Sequence, residues 1–266
     1  MEEKKSEITS LDLMFLAAEL RKKMVNGVFK KIYQYGSSKN KQLIFGIYHP
    51  EHGEYFLYVD STKIFITKKK EPVPQEPPSF CMFLRKYLMG KKIINVTQHG
   101  FDRIIEITTR ENILIFELIP PGNVILCDTY YNIIMPLEVQ TWKDRKILPK
   151  VPYKYPPQPV NPFSLDLDSF NKMVKSFDSN VTAFLARRMG FGRDYAREFC
   201  ARAGVPEDRE CRDITLDETI KLHTVINSIL KEAGKGYIYH DMVSPFILKS
   251  KKETPKEMET FSDALD

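Results

Sequence analysis

The chain has 266 residues, of which 42% are hydrophobic and 28% are charged, and its formal net charge is +5. This length is enough for one large domain or two smaller ones. The charge is only mildly basic and does not by itself indicate nucleic acid. No apolar run approaches the roughly 20 residues that a membrane-spanning helix needs. The charged start, residues 1–5, lacks the apolar centre of a secretory signal, so we expect a cytoplasmic protein with no membrane partner.

The cysteines and histidines indicate neither a metal nor a cofactor. The four cysteines are scattered and form no CxxC pair, which predicts reduced, buried thiols rather than zinc ligands or disulfides. They are Cys81, Cys127, Cys200 and Cys211. His49 and His52 lie three residues apart, but we see no third ligand near them and predict a surface turn.

The first half of the chain has the pattern of an α+β fold. A helix to about Asn26 is predicted to begin at Thr9 or Ser10, and Asp12 fits a capping box in its first turn. Alternating or apolar runs separated by turn residues predict two antiparallel sheets or a sandwich with helices at the sides. The predicted strands are Val28–Tyr35, Lys41–Tyr48, Tyr55–Val59, Lys63–Thr67, Lys92–Gln98, Arg103–Thr108, Asn112–Leu118, Asn123–Asp128 and Ile133–Val139.

A second helix is predicted from Ser79, as its cap, to Met89. Arg85 and Lys86 lie on it, and residues 79–92 contain four basic residues and no acid. One interpretation is a helix that faces phosphates. The other is a core helix whose lysines are simply solvated.

The stretch His99-Gly100-Phe101-Asp102-Arg103 places an acid beside a guanidinium where a strand is predicted to begin. Neighbouring residues on a strand point to opposite faces, so the pattern argues against a simple ion pair. The guanidinium of Arg103 suits a phosphate or a base edge. Asp102 would accept a hydrogen bond from a nucleobase amine or orient a basic side chain. The alternative is a strand that starts with two solvated charges.

Dense prolines predict a linker, which divides the chain into an α+β domain (1–145), the linker (146–164), a helical domain (165–235) and a closing segment (236–266). In the closing segment, strands are predicted at Tyr237–His240 and Phe246–Lys249. Helices are predicted at Asp166–Phe177, Asn180–Met189, Arg193–Ala203 and Leu216–Ala233.

Gly190-Phe191-Gly192 separates two of these helices and exposes backbone N–H groups at the start of the next one, which suits an anion. Flanking arginines, among them Arg188 and Arg193, favour a helix-hairpin-helix that grips nucleic-acid backbone through Gly190, Gly192 and these arginines. A helical hairpin with a solvated basic face remains the alternative.

Several motifs together resemble the N-terminal region of the NFACT family, which includes the nuclear export mediator factor, bacterial RqcH and fibronectin-binding protein A-like proteins. The resemblance covers about residues 8 to 240, and the chain then looks like a fragment that stops ahead of the family's coiled coil. The motifs are Thr9-Ser10-Leu11-Asp12-Leu13, Lys31-Ile32-Tyr33-Gln34, Pro77-Pro78-Ser79-Phe80-Cys81-Met82, Leu84-Arg85-Lys86-Tyr87-Leu88, Gly100-Phe101-Asp102-Arg103-Ile104, Gly122-Asn123-Val124-Ile125-Leu126, and Tyr153 with Pro156-Pro157.

The resemblance implies ribosome-associated quality control. It implies binding to the large ribosomal subunit with peptidyl-tRNA, and recruitment of aminoacylated tRNA, typically for alanine, for template-free tailing of the nascent chain. The family's essential acid falls on Asp12 and its Asp-Arg pair on Asp102 and Arg103. We therefore expect RNA contacts from these three residues and from Arg85 and Lys86, with no catalytic residue, cofactor, metal or small-molecule substrate.

The family's N-terminal domain also looks like that of the formamidopyrimidine-type DNA glycosylases, which supplies a rival function. Those enzymes use an N-terminal proline amine, whereas Met1 is followed by Glu2 and no proline occurs before Pro50. The cysteine spacing also departs from their zinc finger, so we expect no base-excision chemistry. A third reading, a fibronectin-binding adhesin, does not suit a chain without an export signal.

Overall fold

Two antiparallel sheets form the first half of the molecule, whose computed structural model describes residues 7–36, 41–69, 76–232 and 234–266. The predicted charged start therefore lies outside the described residues. The first sheet contains, in chain order, β1 (Val28–Tyr35), β2 (Gln42–His49), β3 (Gly53–Val59) and β4 (Ile64–Thr67). The second contains β5 (Asn95–Gln98), β6 (Ile104–Thr108), β7 (Asn112–Glu117), β8 (Asn123–Asp128) and β9 (Ile133–Pro136).

The two sheets share one hydrophobic core, in which Phe45 of β2 meets Phe116 of β7 edge to face at 5.8 Å between ring centroids. Two helices flank the sheets: α1 (Ser10–Met24) packs against β5, and α2 (Ser79–Leu88) packs against β1. The predicted α+β architecture with antiparallel sheets and helices at the sides is confirmed.

The outer face of the second sheet is also buried, because the segment predicted as a linker folds back over it. Ile147 and Tyr153 belong to a second hydrophobic cluster with outward-facing isoleucines of that sheet. A small hairpin, β10 (Gln140–Thr141) and β11 (Lys146–Ile147), leads into this segment. The prolines exclude regular strand pairing along most of residues 146–164, but they did not prevent the isoleucine and the tyrosines from packing.

Helices follow as predicted in type, and one of the four, Arg193–Ala203, also has the predicted bounds, whereas the bounds of the other three differ. They are α3 (Leu167–Lys175), α4 (Val181–Ala183), α5 (Arg193–Ala203) and α6 (Leu216–Ser228). The predicted helix Asn180–Met189 is instead a short α-helix that widens into a π-helical turn, Phe184–Arg188.

The closing segment returns to the first half of the chain. It contains β12 (Gly236–Ile238), β13 (Val243–Ser244), β14 (Lys256–Met258) and α7 (Phe261–Leu265). The predicted strand Phe246–Lys249 is wrong, because the N–H groups of Lys249 and Ser250 donate to the buried carboxylate of Glu198 on α5 instead of to a neighbouring strand. At its end, Glu19 of α1 accepts hydrogen bonds from the first N–H groups of α7.

Candidate nucleic-acid interface

Asp102 and Arg103 lie in the turn between β5 and β6, not on the strand itself, which begins at Ile104. The turn closes through the N–H of His99, which donates to the carbonyl of Ile104 at 2.9 Å, and Gly100 adopts φ +55°. Asp102 Oδ1 accepts the N–H of Arg103 at 2.7 Å. The expectation that the two side chains stand on opposite strand faces is therefore wrong, because turn geometry governs both.

The guanidinium of Arg103 is the accessible group of this turn. Its side chain is 24% exposed, and its Nη1 lies 3.1 Å from Oε2 of Glu7, which is itself half exposed. Such surface ion pairs contribute about 0–1 kcal/mol, so a phosphate can replace the carboxylate at little cost. Asp102 is buried, and burial raises the pKa of its carboxyl group although the N–H and guanidinium of Arg103 act in the opposite direction.

Asp12 is fully buried and forms the predicted capping box at the start of α1. Its Oδ2 accepts from the N–H and hydroxyl of Thr9 at 2.7 and 2.8 Å. Its Oδ1 accepts the hydroxyl of Tyr195 from α5. Burial and the Asp12 carboxylate raise the pKa of Tyr195 well above its ordinary value, so this hydroxyl keeps its proton and donates. With no exposed surface, Asp12 acts as a positioning residue.

Three segments singled out in the sequence meet at one place, which we call the junction: the turn His99–Arg103, the amino-terminal end of α1, and the turn Gly190–Gly192. Gln98 Nε2 donates to the carbonyls of Ser10 and Asp102, at 2.9 and 2.8 Å, and so joins the first two. Phe101 packs edge to face against the buried Phe191 at 5.5 Å, which joins the third.

Two of the three backbone amides of the glycine turn are occupied within the fold. The N–H groups of Phe191 and Gly192 donate to the carbonyls of Leu185 and Ala186 at 3.3 and 3.2 Å. Gly190 and Gly192 adopt φ +73° and +78°, a region that favours glycine. Gly192 is the N-cap of α5 and has no side chain, so no N-cap side chain bonds the first amides of α5.

The arginines around the junction divide into free and paired groups. Arg197 pairs with Glu207 at 2.9 Å, and Arg202 pairs with Glu198 and Glu232. Arg187, Arg188 and Arg193 are exposed and form no ion pair within the part of the chain that the structure describes. Two of these three, Arg188 and Arg193, are residues that the sequence predicted as phosphate contacts.

Arg85 and Lys86 lie elsewhere, on α2, which packs against β1 and β9, whereas α1 packs against β5 at the opposite edge of the five-stranded sheet. Arg85 Nε donates to the carbonyl of Ile32 at 2.8 Å and so covers the edge of β1. Lys86 is exposed. The structure therefore does not bring this pair to the junction. Nor does Ser79 cap α2, because the N-cap is Pro78, without a side-chain cap.

A family model, described as the NFACT N-terminal and middle domains, matches residues 9–266. The chain belongs to the NFACT family. An archaeal Rqc2 homolog, aRqcH of Methanocaldococcus jannaschii, is 34% identical over 284 residues, covering 98% of this NFACT chain and 42% of that protein. The human ribosome quality control complex subunit NEMF is 23% identical, covering 98% of this chain and 28% of that protein. The chain thus spans less than half the length of these two relatives.

Among solved structures, the N-terminal part of the fibronectin/fibrinogen-binding protein from Streptococcus suis superposes on the NFACT chain with a TM-score of 0.78. Sequence identity is 20%, and the match covers 98% of both chains. At this identity the match establishes a shared fold.

Sequence reasoning missed the partners that hold the NFACT junction in place. The ring of His99 stacks on Tyr155 at 3.4 Å between centroids, and Gln158 contacts the same histidine. Tyr131 and Tyr155 both donate to the buried carboxylate of Glu106. The sequence signal that could have revealed these contacts was the set of tyrosines in the proline-rich segment, since large aromatic residues are usually buried at least in part and a solvated linker would expose them.

His49, Glu51 and His52 bring their ligand atoms within 4.8 Å of one another, so the third ligand that the sequence interpretation lacked is present. They nevertheless fit a metal poorly. His49 Nε2 bonds the carbonyl of Val25 at 2.9 Å, its Nδ1 accepts the N–H of Glu51 at 3.1 Å, and the two rings stack at 4.4 Å. Nearly parallel rings cannot both direct a lone pair at one ion.

Within the described ranges, no helix of the NFACT chain has the length and apolar character needed to cross a bilayer.

Proposed function

We propose that this NFACT chain is the RNA-facing part of a cytoplasmic ribosome-associated quality-control factor. In this proposal it binds large ribosomal subunits that still hold peptidyl-tRNA, and it recruits aminoacylated tRNA, of the alanyl type, for template-free tailing of the stalled chain. Support comes from the names of the archaeal and human relatives. The single observation that carries the proposal is the junction, where accessible arginines from two parts of the chain surround buried, fixed acids.

Arg103 is the central contact in this proposal. Its guanidinium exchanges Glu7 for a phosphate or a base edge, because a planar donor fork binds either one through two parallel hydrogen bonds. The turn's own hydrogen bonds hold its backbone, so little ordering accompanies binding.

The other residues divide into contacts and supports. Arg188 and Arg193 supply backbone contacts beside the amino-terminal end of α5, in the manner of a helix-hairpin-helix. Asp12 and Asp102 keep the junction in shape. Lys86 extends the basic surface on α2, where Arg85 is occupied with β1. The chain itself contributes no reactive group, because the ribosomal peptidyl-transferase centre performs the covalent chemistry.

The test compares Arg103→Ala with Arg110→Ala in the full-length protein. Arg110 is exposed, forms no ion pair with any described residue and lies in the turn at the far end of β6, so its removal is matched in charge. Co-sedimentation with large subunits carrying peptidyl-tRNA, followed by sequencing of the recovered tRNA, measures the effect. We expect roughly a tenfold or greater loss of recovered tRNA for Arg103→Ala alone, as for one strong bidentate contact of about 1–3 kcal/mol.

Equal recovery of tRNA by the two variants would contradict the proposal. A melting temperature that falls sharply in Arg103→Ala would mean that the residue is structural, so thermal unfolding of both variants is measured in parallel. Cleavage of an abasic duplex oligonucleotide by the unaltered protein would instead favour the glycosylase reading.

A further inference from the structure

Trp142 is the single tryptophan of the chain, and no part of the fold or of the junction accounts for its exposure. It follows β10 in the short β10–β11 hairpin, and 43% of its surface is exposed. Single exposed apolar residues are common, so exposure alone decides nothing. Its surroundings give two further observations, one of geometry and one of charge.

Arg145 holds the indole ring in place. Its guanidinium lies 5.3 Å from the ring centroid of Trp142 and 5.1 Å from that of Tyr153. Both oxygens of the buried Glu117 accept from the same guanidinium. The Arg145 guanidinium is therefore neutralised and held in place. The Trp142 side chain beside it loses little conformational entropy when a ligand binds.

The stretch of sequence that contains Trp142 is strongly positive. The hairpin and the residues after it carry four exposed lysines, and none of them forms an ion pair with any residue in the described ranges. Asp144 is the one acid between residues 139 and 155. The lysines are Lys143, Lys146, Lys150 and Lys154. An exposed aromatic ring among unpaired cations is the combination that binds single-stranded nucleic acid by stacking and phosphate contacts, without reading sequence.

This hairpin lies on the same part of the sheet as the junction. Glu117, which anchors Arg145, pairs directly with Ile104 across β6 and β7. The next residue along the chain, Leu118, donates its N–H to the carbonyl of Arg103 at 2.8 Å. The residue that anchors Arg145 is thus next in the chain to the one that bonds the backbone of Arg103.

We propose that Trp142 is a stacking platform for an unpaired base of RNA, and that the four lysines contact the adjacent phosphates. The inference rests on the proposed function, because it assigns a second contact to the same RNA. It adds a preference that the junction does not supply: single-stranded over fully paired RNA.

Because Trp142 is the sole tryptophan of the chain, its emission reports on this site when it is excited at the long-wavelength edge, where the 13 tyrosines absorb little. The full chain is titrated with a 12-nucleotide uridine RNA, with a duplex of the same length, and with polyglutamate. We expect the single strand to quench the emission in parallel with binding measured by the anisotropy of a labelled RNA, and the duplex to quench it less. We expect Trp142→Ala to lower single-strand affinity roughly 5- to 150-fold, the range for losing one stacked base.

Two further variants keep the experiment decisive. Trp142→Phe retains a stacking ring and should keep most of the affinity. Leu216→Ala removes a comparably exposed apolar side chain from α6 and should change nothing. Thermal unfolding confirms that each variant is folded.

Each contrary outcome has its own meaning. If RNA binds, depends on Arg103, and neither quenches the emission nor responds to Trp142→Ala, the platform is wrong and the proposed function stands. If no RNA binds the unaltered chain, both fail. If polyglutamate quenches as strongly as RNA, the hairpin is a docking site for an acidic protein and base stacking is overturned.

Discussion

Asp12 joins two parts of the molecule that lie 183 residues apart in the sequence, because its two oxygens serve the cap of α1 and the hydroxyl of Tyr195. Only the first of these roles has a local signature. The spacing from Thr9 to Asp12 predicts a capping box, and the structure confirms it. The Tyr195 contact depends on how the helical part docks, which no pattern of neighbouring residues encodes.

Replacing Asp12 with alanine should therefore cost more than an ordinary cap. We expect a loss of about 2 to 4 kcal/mol in unfolding free energy, because the variant loses both the cap and the hydrogen bond that the Tyr195 hydroxyl donates to the Asp12 carboxylate. Asp263→Ala is the matched control, since it removes an exposed capping box from α7 and should cost about 1 kcal/mol. Chemical denaturation measures both. Equal losses would show that the Tyr195 contact contributes nothing.

The strands and hairpins of the two sheets were predictable because alternation and turn residues are local signals. The helix α5 was predicted from Arg193 to Ala203 and is found there. The linker was predicted from the geometry of proline, which excludes regular pairing but says nothing about where Tyr153 and Tyr155 are buried. The strands β13 and β14 have two and three residues, which is too short to show an alternating hydrophobic pattern in the sequence.

Glu198 shows how an element of the helical part is tied to the closing segment. It is fully buried on α5 and accepts from Arg202 and from the N–H groups of Lys249 and Ser250. Burial alone would raise the pKa of Glu198, but these donors outweigh it and lower the pKa overall. A lowered carboxyl pKa stabilises the fold above the unfolded-state pKa of about 4.3, and that stability is lost as pH falls through the folded-state pKa.

Glu198→Gln should accordingly be less stable than the unaltered chain at neutral pH, by a constant margin down to about pH 5. Below that pH the margin should shrink, because the carboxylate of Glu198 takes up a proton in the unfolded chain before it does so in the folded one. Melting temperatures of both proteins between pH 7 and pH 3 measure the difference. A margin that stays the same over the whole range would mean that the charge of Glu198 is not what holds the closing segment.

Across the whole molecule, the net charge of +5 matters less than its distribution. Two arginines are neutralised by carboxylates within the fold: Arg145 pairs with Glu117, and Arg202 pairs with Glu198 and Glu232. Among the cations that remain exposed and without an ion pair in the described ranges are Arg188 and Arg193 beside the start of α5 and the four lysines of the hairpin after β10 and the segment that follows it. Composition alone did not reveal which cations are neutralised within the fold and which remain available.

The salt dependence of RNA affinity measures directly whether Arg103 and Arg193 contact the same RNA. Each phosphate contact contributes about 0.7 to the slope of log affinity against log salt for single-stranded RNA. The double variant Arg103→Ala/Arg193→Ala should lower the slope by about 1.4. The control pair Arg110→Ala/Lys175→Ala removes the same charge from the turn after β6 and from the last residue of α3, neither of which belongs to the junction as defined, and should leave the slope close to that of the unaltered chain. Equal slopes for the two double variants would contradict the account.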